Sequence, residues 1–154
     1  VGIDERVLLK QYVTDPKMRD GLPTETGITQ EDVLIERVPD LEAVKVALET
    51  LRDAGITALA ISLLHAYTYT KHEEMIVEVA ESMKCFEQIS ASHQVMPMIK
   101  LVPRGHTSCA AAYLTPQITT YLASFQKGFD DGLAKNVPLQ FMKSDGGLAP
   151  VTAF

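Results

Sequence analysis

Cysteine is scarce. Cys85 and Cys109 are the only two in 154 residues. That density excludes a disulfide framework and fits a reducing compartment. Basic runs are missing too: 14 Lys and Arg stand against 20 Asp and Glu, for a net charge of -6. An acidic surface argues against nucleic acid or an anionic membrane as partner. No apolar run reaches the length of a membrane span, and no signal-peptide pattern opens the chain. Internal repeats, heptad runs and low-complexity tracts are absent. What is present is apolar: hydrophobic residues make up 46% against 22% charged, enough to bury a core. The length suggests one domain or a piece of one. Val1 opens the chain without Met, in what reads as a strand, and Phe154 closely follows a glycine turn. Both ends therefore read as cut from something longer.

The first half reads as alternating strand and helix. Val7-Leu8-Leu9 is a short strand. Residues 14–32 carry Pro16, Gly21, Pro23 and Gly27 among polar residues, and read as a surface loop. Val33 to Val38 is a second strand, rich in branched side chains. Asp40 is placed to cap a helix whose Leu41, Val44, Leu48 and Leu51 recur at three- and four-residue spacing, with Gly55 as its left-handed stop. Ile56 to Leu64 is almost wholly apolar, the pattern of a strand buried on both faces of a parallel sheet. Thr70 and Glu73 form the outline of a capping box, followed by Ile76, Val77, Ala80 and Met83 on one helix face. Phe86 to Ala91 reads as a strand. The alternation predicts an α/β layer with right-handed crossovers.

Ser92 to Pro116 is the stretch that organises the chain, and it is neither a clean helix nor a clean strand. Pro97 and Pro103 each remove a backbone donor, while the surrounding residues are too apolar for an exposed loop. A packed connection is expected. Thr107 is placed to cap a helix carrying Ala110, Tyr113, Leu114, Ile118, Tyr121, Leu122 and Phe125. At Thr115-Pro116 that helix either kinks or gives way to a second one, and Gly128 or Gly132 ends it. Val137 to Met142 is a last strand. Ser144-Asp145-Gly146-Gly147 must then turn sharply, the glycines being free to take positive φ.

Chemistry-bearing residues are few. His65, His72, His93 and His106 lack a close ligand spacing, and the plain reading is one cap histidine, His72, and three loop histidines. Cys109 near a helix start favours a thiolate, but its Ala110 and Tyr113 neighbours favour a packing role. Ser108 lacks a GxSxG elbow. Neither GxxxxGK[ST] nor GxGxxG occurs. Asp145-Gly146-Gly147 after a strand has the outline of a phosphate-approach loop, an outline shared with hairpin turns. Arg104 offers a fork for a carboxylate or phosphate, although a surface arginine in a Pro-Gly loop has the same pattern.

Longer matches go further. They are Leu64-His65-Ala66-Tyr67-Thr68-Tyr69 with His72-Glu73, Ser92, Val95-Met96-Pro97-Met98, and Val102-Pro103-Arg104-Gly105-His106-Thr107. Cys109-Ala110, Ala112-Tyr113-Leu114-Thr115-Pro116, Phe141-Met142 and Ser144-Asp145-Gly146-Gly147-Leu148-Ala149-Pro150 complete the set. On these, residues 58–154 resemble the ATP-dependent 5-oxoprolinase and hydantoinase A family, on its eukaryotic 5-oxoprolinase side. Asp4-Glu5-Arg6-Val7 is a shorter match, and residues 10–40 match little.

The resemblance implies an α/β fold, part of an acetate kinase, Hsp70 and actin-like (ribonuclease H-like) lobe. Residues 1–91 would end the family's N-terminal region, and 92–154 would begin an incomplete hydantoinase A/oxoprolinase domain. The implied reaction of the parent opens 5-oxo-L-proline to L-glutamate in glutathione turnover, using ATP with Mg²⁺. Phosphorylation would turn the oxygen of an unreactive lactam carbonyl into a leaving group. The implied setting is cytoplasmic. The partners are the substrate and the remainder of the same polypeptide, with neither nucleic acid nor membrane, and with room for a homodimer. Asp145, Gly146, Gly147, Arg104 and Thr107 are the expected cleft-lining, nucleotide-side residues; no catalytic residue and no metal ligand is assigned. The family's Gly-Gly-Thr-Phe-Thr-Asp, Asp-x-Gly-Gly-Thr-Ser-Thr-Asp and Gly-Pro-Ala-Gly-Gly motifs are absent from these residues, so the chain alone is expected to be inactive. Ala111 stands where relatives carry Asp or Asn, and Ala66 where they usually carry Ser. The rival readings are a hydantoinase A-type cyclic-amide hydrolase subunit and a non-catalytic interaction module.

Overall fold

The computed structural model describes residues 1–128, 139–143 and 146–150. It contains two compact units, Val1–Tyr113 and Leu114–Phe154. Among the described residues no helix is long and apolar enough to cross a membrane.

The first unit opens on β1 (Arg6–Leu9), a single 3-10 turn (Lys10–Tyr12), α1 (Pro16–Gly21), β2 (Thr24–Thr26) and β3 (Asp32–Arg37). The strands form an antiparallel sheet in the order β1-β3-β2, with Leu8 opposite Leu34 and Glu25 opposite Val33. The loop expected over 14–32 is thus corrected. Asp15 caps α1 by accepting from the Lys17 amide at 2.9 Å, with Pro16 in the first turn. Strand β2 exists because β3 supplies a ladder for it. Val7, Leu9, Val33, Ile35 and Tyr69 make the apolar cluster on this sheet.

Helix α2 (Leu41–Asp53) starts as expected: Asp40 accepts from the amides of Glu42 at 3.0 Å and Ala43 at 3.3 Å. It ends in a Schellman motif. The Ile56 amide donates to Leu51 O, the Gly55 amide donates to Arg52 O, and Gly55 takes φ +80°. Strand β4 (Ala58–Ile61), α3 (Lys71–Met83) and β5 (Gln88–Ala91) then form a parallel βαβ unit in which Leu59 lies opposite Ile89. Val44, Leu48, Leu59, Ile61, Ile76 and Ala80 are its buried core. Each of the larger side chains contributes about 1.5–3 kcal/mol on leaving water. Strand β4 is shorter than its apolar run predicts. Ile56 is 43% exposed and Ala60 is exposed, so burial on both faces is not realised within this chain.

The capping box expected at Thr70 is also corrected. Thr70 is itself helical and makes no side-chain cap. Glu73 turns instead to partners distant in sequence. After β5 comes α4 (Ser92–Val95), a short connection, and α5 (Leu101–Lys127). Helix α5 starts six positions before Thr107, because Pro103 lies in its first turn, where a missing N–H costs nothing. His106 and Cys109 are therefore helical, and Cys109 is exposed about two turns beyond the helix start. The helix runs through Pro116 and stops before Gly128.

The described part of the second unit also includes a hairpin, β6 (Gln140–Met142) with β7 (Leu148–Pro150), in which Phe141 lies opposite Ala149.

Candidate functional site

The polar centre of the first unit lies at the carboxyl ends of the parallel strands β4 and β5. Ligand sites in such sheets are built just beyond those ends. Glu73, from the first turn of α3, is fully buried there. Its Oε1 accepts from the Leu63 amide at 2.8 Å and from Ser92 Oγ at 2.6 Å. Its Oε2 accepts from the His93 amide at 3.0 Å and lies 2.7 Å from His93 Nδ1. With the carboxylate ionised, the ring proton must sit on Nδ1. One carboxylate thus ties the exit of β4 to the exit of β5.

Arg104 completes the network from the first turns of α5, and it too is fully buried. Its Nε donates to Ser92 Oγ at 2.8 Å. Nη1 donates to the carbonyls of Met98 at 2.7 Å and Ile99 at 3.3 Å. Nη2 donates to the carbonyls of Leu63 and, at 3.0 Å, Leu64. A guanidinium has five N–H donors, and these five acceptors use them all. Burial holds the Arg104 pKa below the usual arginine value, while the negative charge of Glu73 opposes that shift. The surface-arginine reading is therefore corrected. Arg104 fastens three backbone segments together and has no donor to spare for a phosphate.

The other expected site residues fall as follows. Thr107 lies on α5 three residues beyond Arg104, where its Oγ1 donates to Pro103 O at 3.0 Å; it is not the cap of the helix. Gly146 takes φ +82° in the β6–β7 turn, and its amide donates to Lys143 O at 2.9 Å. Gly147 O accepts from the Lys143 amide at 2.8 Å in the same turn. Asp145 lies outside the described residues. The structure brings Arg104 and Thr107 together on one helix, and Gly146 and Gly147 together in one turn.

Two histidines read as cap or loop residues are pair members instead. His72 is buried, its Nδ1 2.9 Å from Glu5 Oε2 and its ring edge-on to Tyr69. His93 faces Glu73. His65 lies in the turn after β4, and burial lowers its pKa, opposed by Glu5 and reinforced by Arg104. Glu73 and His93 are the residues sequence reasoning missed. The pairing of an acidic residue with a histidine at His72-Glu73, in one of the longer matched stretches, was the available sign.

The turn between β2 and β3 is seated on the same connection. Gly27 packs so closely on Thr68 that an added Cβ would meet Thr68 Oγ1 and stand 2.7 Å from its carbonyl oxygen. The Ile28 amide donates to that carbonyl at 2.8 Å, and the two hydroxyls of Thr29 and Thr68 lie 2.6 Å apart. Glycine is required here for lack of room.

Comparison with known proteins bears on what this arrangement serves. Residues 1–84 match the hydantoinase/oxoprolinase N-terminal region, and residues 104–154 match the hydantoinase/oxoprolinase family model. The chain is 41% identical to a 5-oxoprolinase of Dictyostelium discoideum and 42% identical to 5-oxoprolinase 1 of Arabidopsis thaliana, in each case over its whole length. It spans 12% of the length of each. The crystal structure of an ATP-dependent caprolactamase from Pseudomonas jessenii superposes with a TM-score of 0.70 at 23% identity, covering 90% of this chain and 20% of that one. That likeness establishes a shared α/β fold. The chain belongs to the hydantoinase/oxoprolinase family.

Proposed function

We propose that these residues form part of an ATP-dependent 5-oxoprolinase that opens 5-oxo-L-proline to L-glutamate. The observation that carries this is identity above 40% across the whole chain to 5-oxoprolinases of a slime mould and a plant. In the parent, ATP with Mg²⁺ would supply the phosphoryl group that makes a lactam oxygen a leaving group. The described residues do not make a triphosphate cradle: the donors of Arg104 are spent and the Gly146 amide closes its own turn. Arg104 and Thr107 are therefore proposed to hold the start of α5. Asp145, Gly146 and Gly147 are proposed to line the nucleotide side of the parent's cleft.

The lobe is proposed to be of the actin-like kind, supported by the parallel β4–α3–β5 unit. The junction between the two family regions is proposed to lie at Ala91/Ser92, a reading supported by the passage of β5 into α4 there. A cytoplasmic setting in glutathione turnover fits two unpaired cysteines and the relatives' substrate.

A second reading, hydrolysis of another cyclic amide, is favoured by the likeness to caprolactamase. ADP release by the full-length parent, assayed with 5-oxo-L-proline, hydantoin and caprolactam in turn, separates the two. The proposal expects 5-oxo-L-proline to give the highest kcat/KM, and preference for either other ring would overturn it. Purified alone, the 154 residues are expected to show no Mg²⁺-dependent ATP turnover above background.

A further inference from the structure

Glu73 holds His93 by its backbone and by its ring. One carboxylate oxygen accepts from the His93 amide at 3.0 Å and lies 2.7 Å from Nδ1 of the same residue. The His93 side chain is only 9% exposed. A neutral imidazole whose proton sits on Nδ1 carries its lone pair on Nε2.

That lone pair is not used inside the chain. Among the described residues Nε2 makes no hydrogen bond, and its ion-pair neighbour is Glu74 Oε1 at 3.9 Å. Both atoms are acceptors, so neither has a hydrogen to give the other. Among the described residues the buried side-chain atom left without a partner is Ser62 Oγ, so Nε2 is not sealed and solvent reaches it. Glu74 is 49% exposed and has no hydrogen-bond donor on its carboxylate among the described residues. Lys71, a turn back on the same helix, is already paired with Glu25 at 2.5 Å.

Two acceptors that face each other across a gap suit a cation. A histidine that ligates a metal typically gives its other ring N–H to a carboxylate, which fixes the ring and raises its basicity. Glu73 is in that place. Nitrogen and oxygen ligands of a tetrahedral zinc-class ion stand about 3.3 Å apart, given their usual bond lengths. A small rotation of the half-exposed Glu74 closes the difference. Glu73 and Glu74 bring two negative charges, and Arg104, joined through Ser92, brings one positive. The local field therefore favours a cation. No third His, Cys, Asp or Glu joins the pair among the described residues, which leaves further positions on the ion to water.

We propose that His93 Nε2 and the Glu74 carboxylate bind one divalent cation of the zinc class, with Glu73 as the outer partner that orients the imidazole. An imidazole nitrogen selects zinc, nickel or copper over the all-oxygen preference of Mg²⁺. This ion is therefore separate from the Mg²⁺ that would accompany ATP in the parent, and it does not depend on the parent's substrate.

Isothermal titration of the 154-residue chain with ZnCl₂ tests it, in a Cys85→Ser, Cys109→Ser background that removes competing thiolates. One zinc per chain is expected. Glu74→Gln and His93→Gln are each expected to weaken binding by at least about tenfold, and Mg²⁺ is expected not to compete. Glu74→Gln changes a half-exposed side chain and is expected to leave the fold intact. Zinc binding that ignores either substitution, or that Mg²⁺ displaces, would overturn the proposal. Long-range ¹H–¹⁵N spectra of the unsubstituted ring read its tautomer directly, and they decide the matter should His93→Gln fail to fold. A proton on Nδ1 and a zinc-induced shift at Nε2 are expected. A proton on Nε2, or an Nε2 signal indifferent to zinc, would overturn it. In the full-length parent, zinc retained after dialysis is expected to fall by one equivalent with Glu74→Gln, and equal zinc in both proteins would overturn it as well.

Discussion

Glu73 and Ser92 meet 2.6 Å apart with neither residue exposed to solvent, and the same serine hydroxyl accepts from Arg104. Nineteen residues separate them in sequence. One hydroxyl thus relays a buried carboxylate to a buried guanidinium, and the exits of two parallel strands are held by that relay.

Glu73→Gln keeps the shape and removes the charge. A carboxylate accepts all four of the contacts around it, whereas an amide offers one acceptor atom and an unwanted donor. Loss of charge-assisted hydrogen bonds in a buried site is expected to cost about 2 kcal/mol or more. Urea denaturation of the chain should show a lower midpoint at unchanged slope. A midpoint equal to wild type would mean the network is ornamental to stability.

Arg104→Lys is expected to be nearly as damaging as Arg104→Met. Lysine brings three donors on a point charge where the site has five acceptors in a fork. Two of the five acceptors at least lose their donor, one or more of them a carbonyl, at about 1–3 kcal/mol for each buried group left unpaired. Full rescue by lysine would show that charge alone, not the fork, is what the site uses.

Gly27→Ala should destabilise through collision rather than through backbone conformation. Its Cβ would strike both the hydroxyl and the carbonyl of Thr68. Thr68→Ala in the same chain removes only the first obstacle, so the double variant is expected to recover part of the loss. Thermal melting of the two variants checks this, and complete recovery would contradict it.

His65 gives the chain a pH dependence with a definite sign. Burial lowers its pKa in the folded chain from a usual 6.5. As pH falls below that value, the unfolded chain takes up the proton first. The stabilising contribution of neutral His65 is therefore whole above about pH 6.5 and is lost as pH falls toward the folded value. His65→Gln should flatten that part of the stability profile, measured as urea midpoints at several pH values between about 7.5 and 5. Parallel profiles would rule it out.

What the sequence discloses follows the range of the interactions. The α2 helix, with Asp40 before it and Gly55 after, was legible because every partner lies within a few residues. The β4–α3–β5 alternation was legible because period and length carry it. The structure of residues 14–32 was not, since β2 exists only through pairing with β3. Thr70 and Glu73 have the spacing of a cap, yet Glu73 was won by Leu63, Ser92 and His93, ten to twenty residues away. Pro103 marked a break by its residue type and proved a helix start by its position. Arg104 looked like an exposed fork because nothing local reveals that carbonyls of residues 63 and 64 would reach it.

The account stands most directly on a chimaera in which these 154 residues replace the matching segment of the Dictyostelium 5-oxoprolinase. L-Glutamate and ADP formed from 5-oxo-L-proline and Mg²⁺-ATP would be followed together. The account predicts coupled release of both at a rate within about tenfold of the host enzyme, a barrier change under about 1.4 kcal/mol, and its loss on Arg104→Met. A chimaera as stable as the host that makes no glutamate would contradict it.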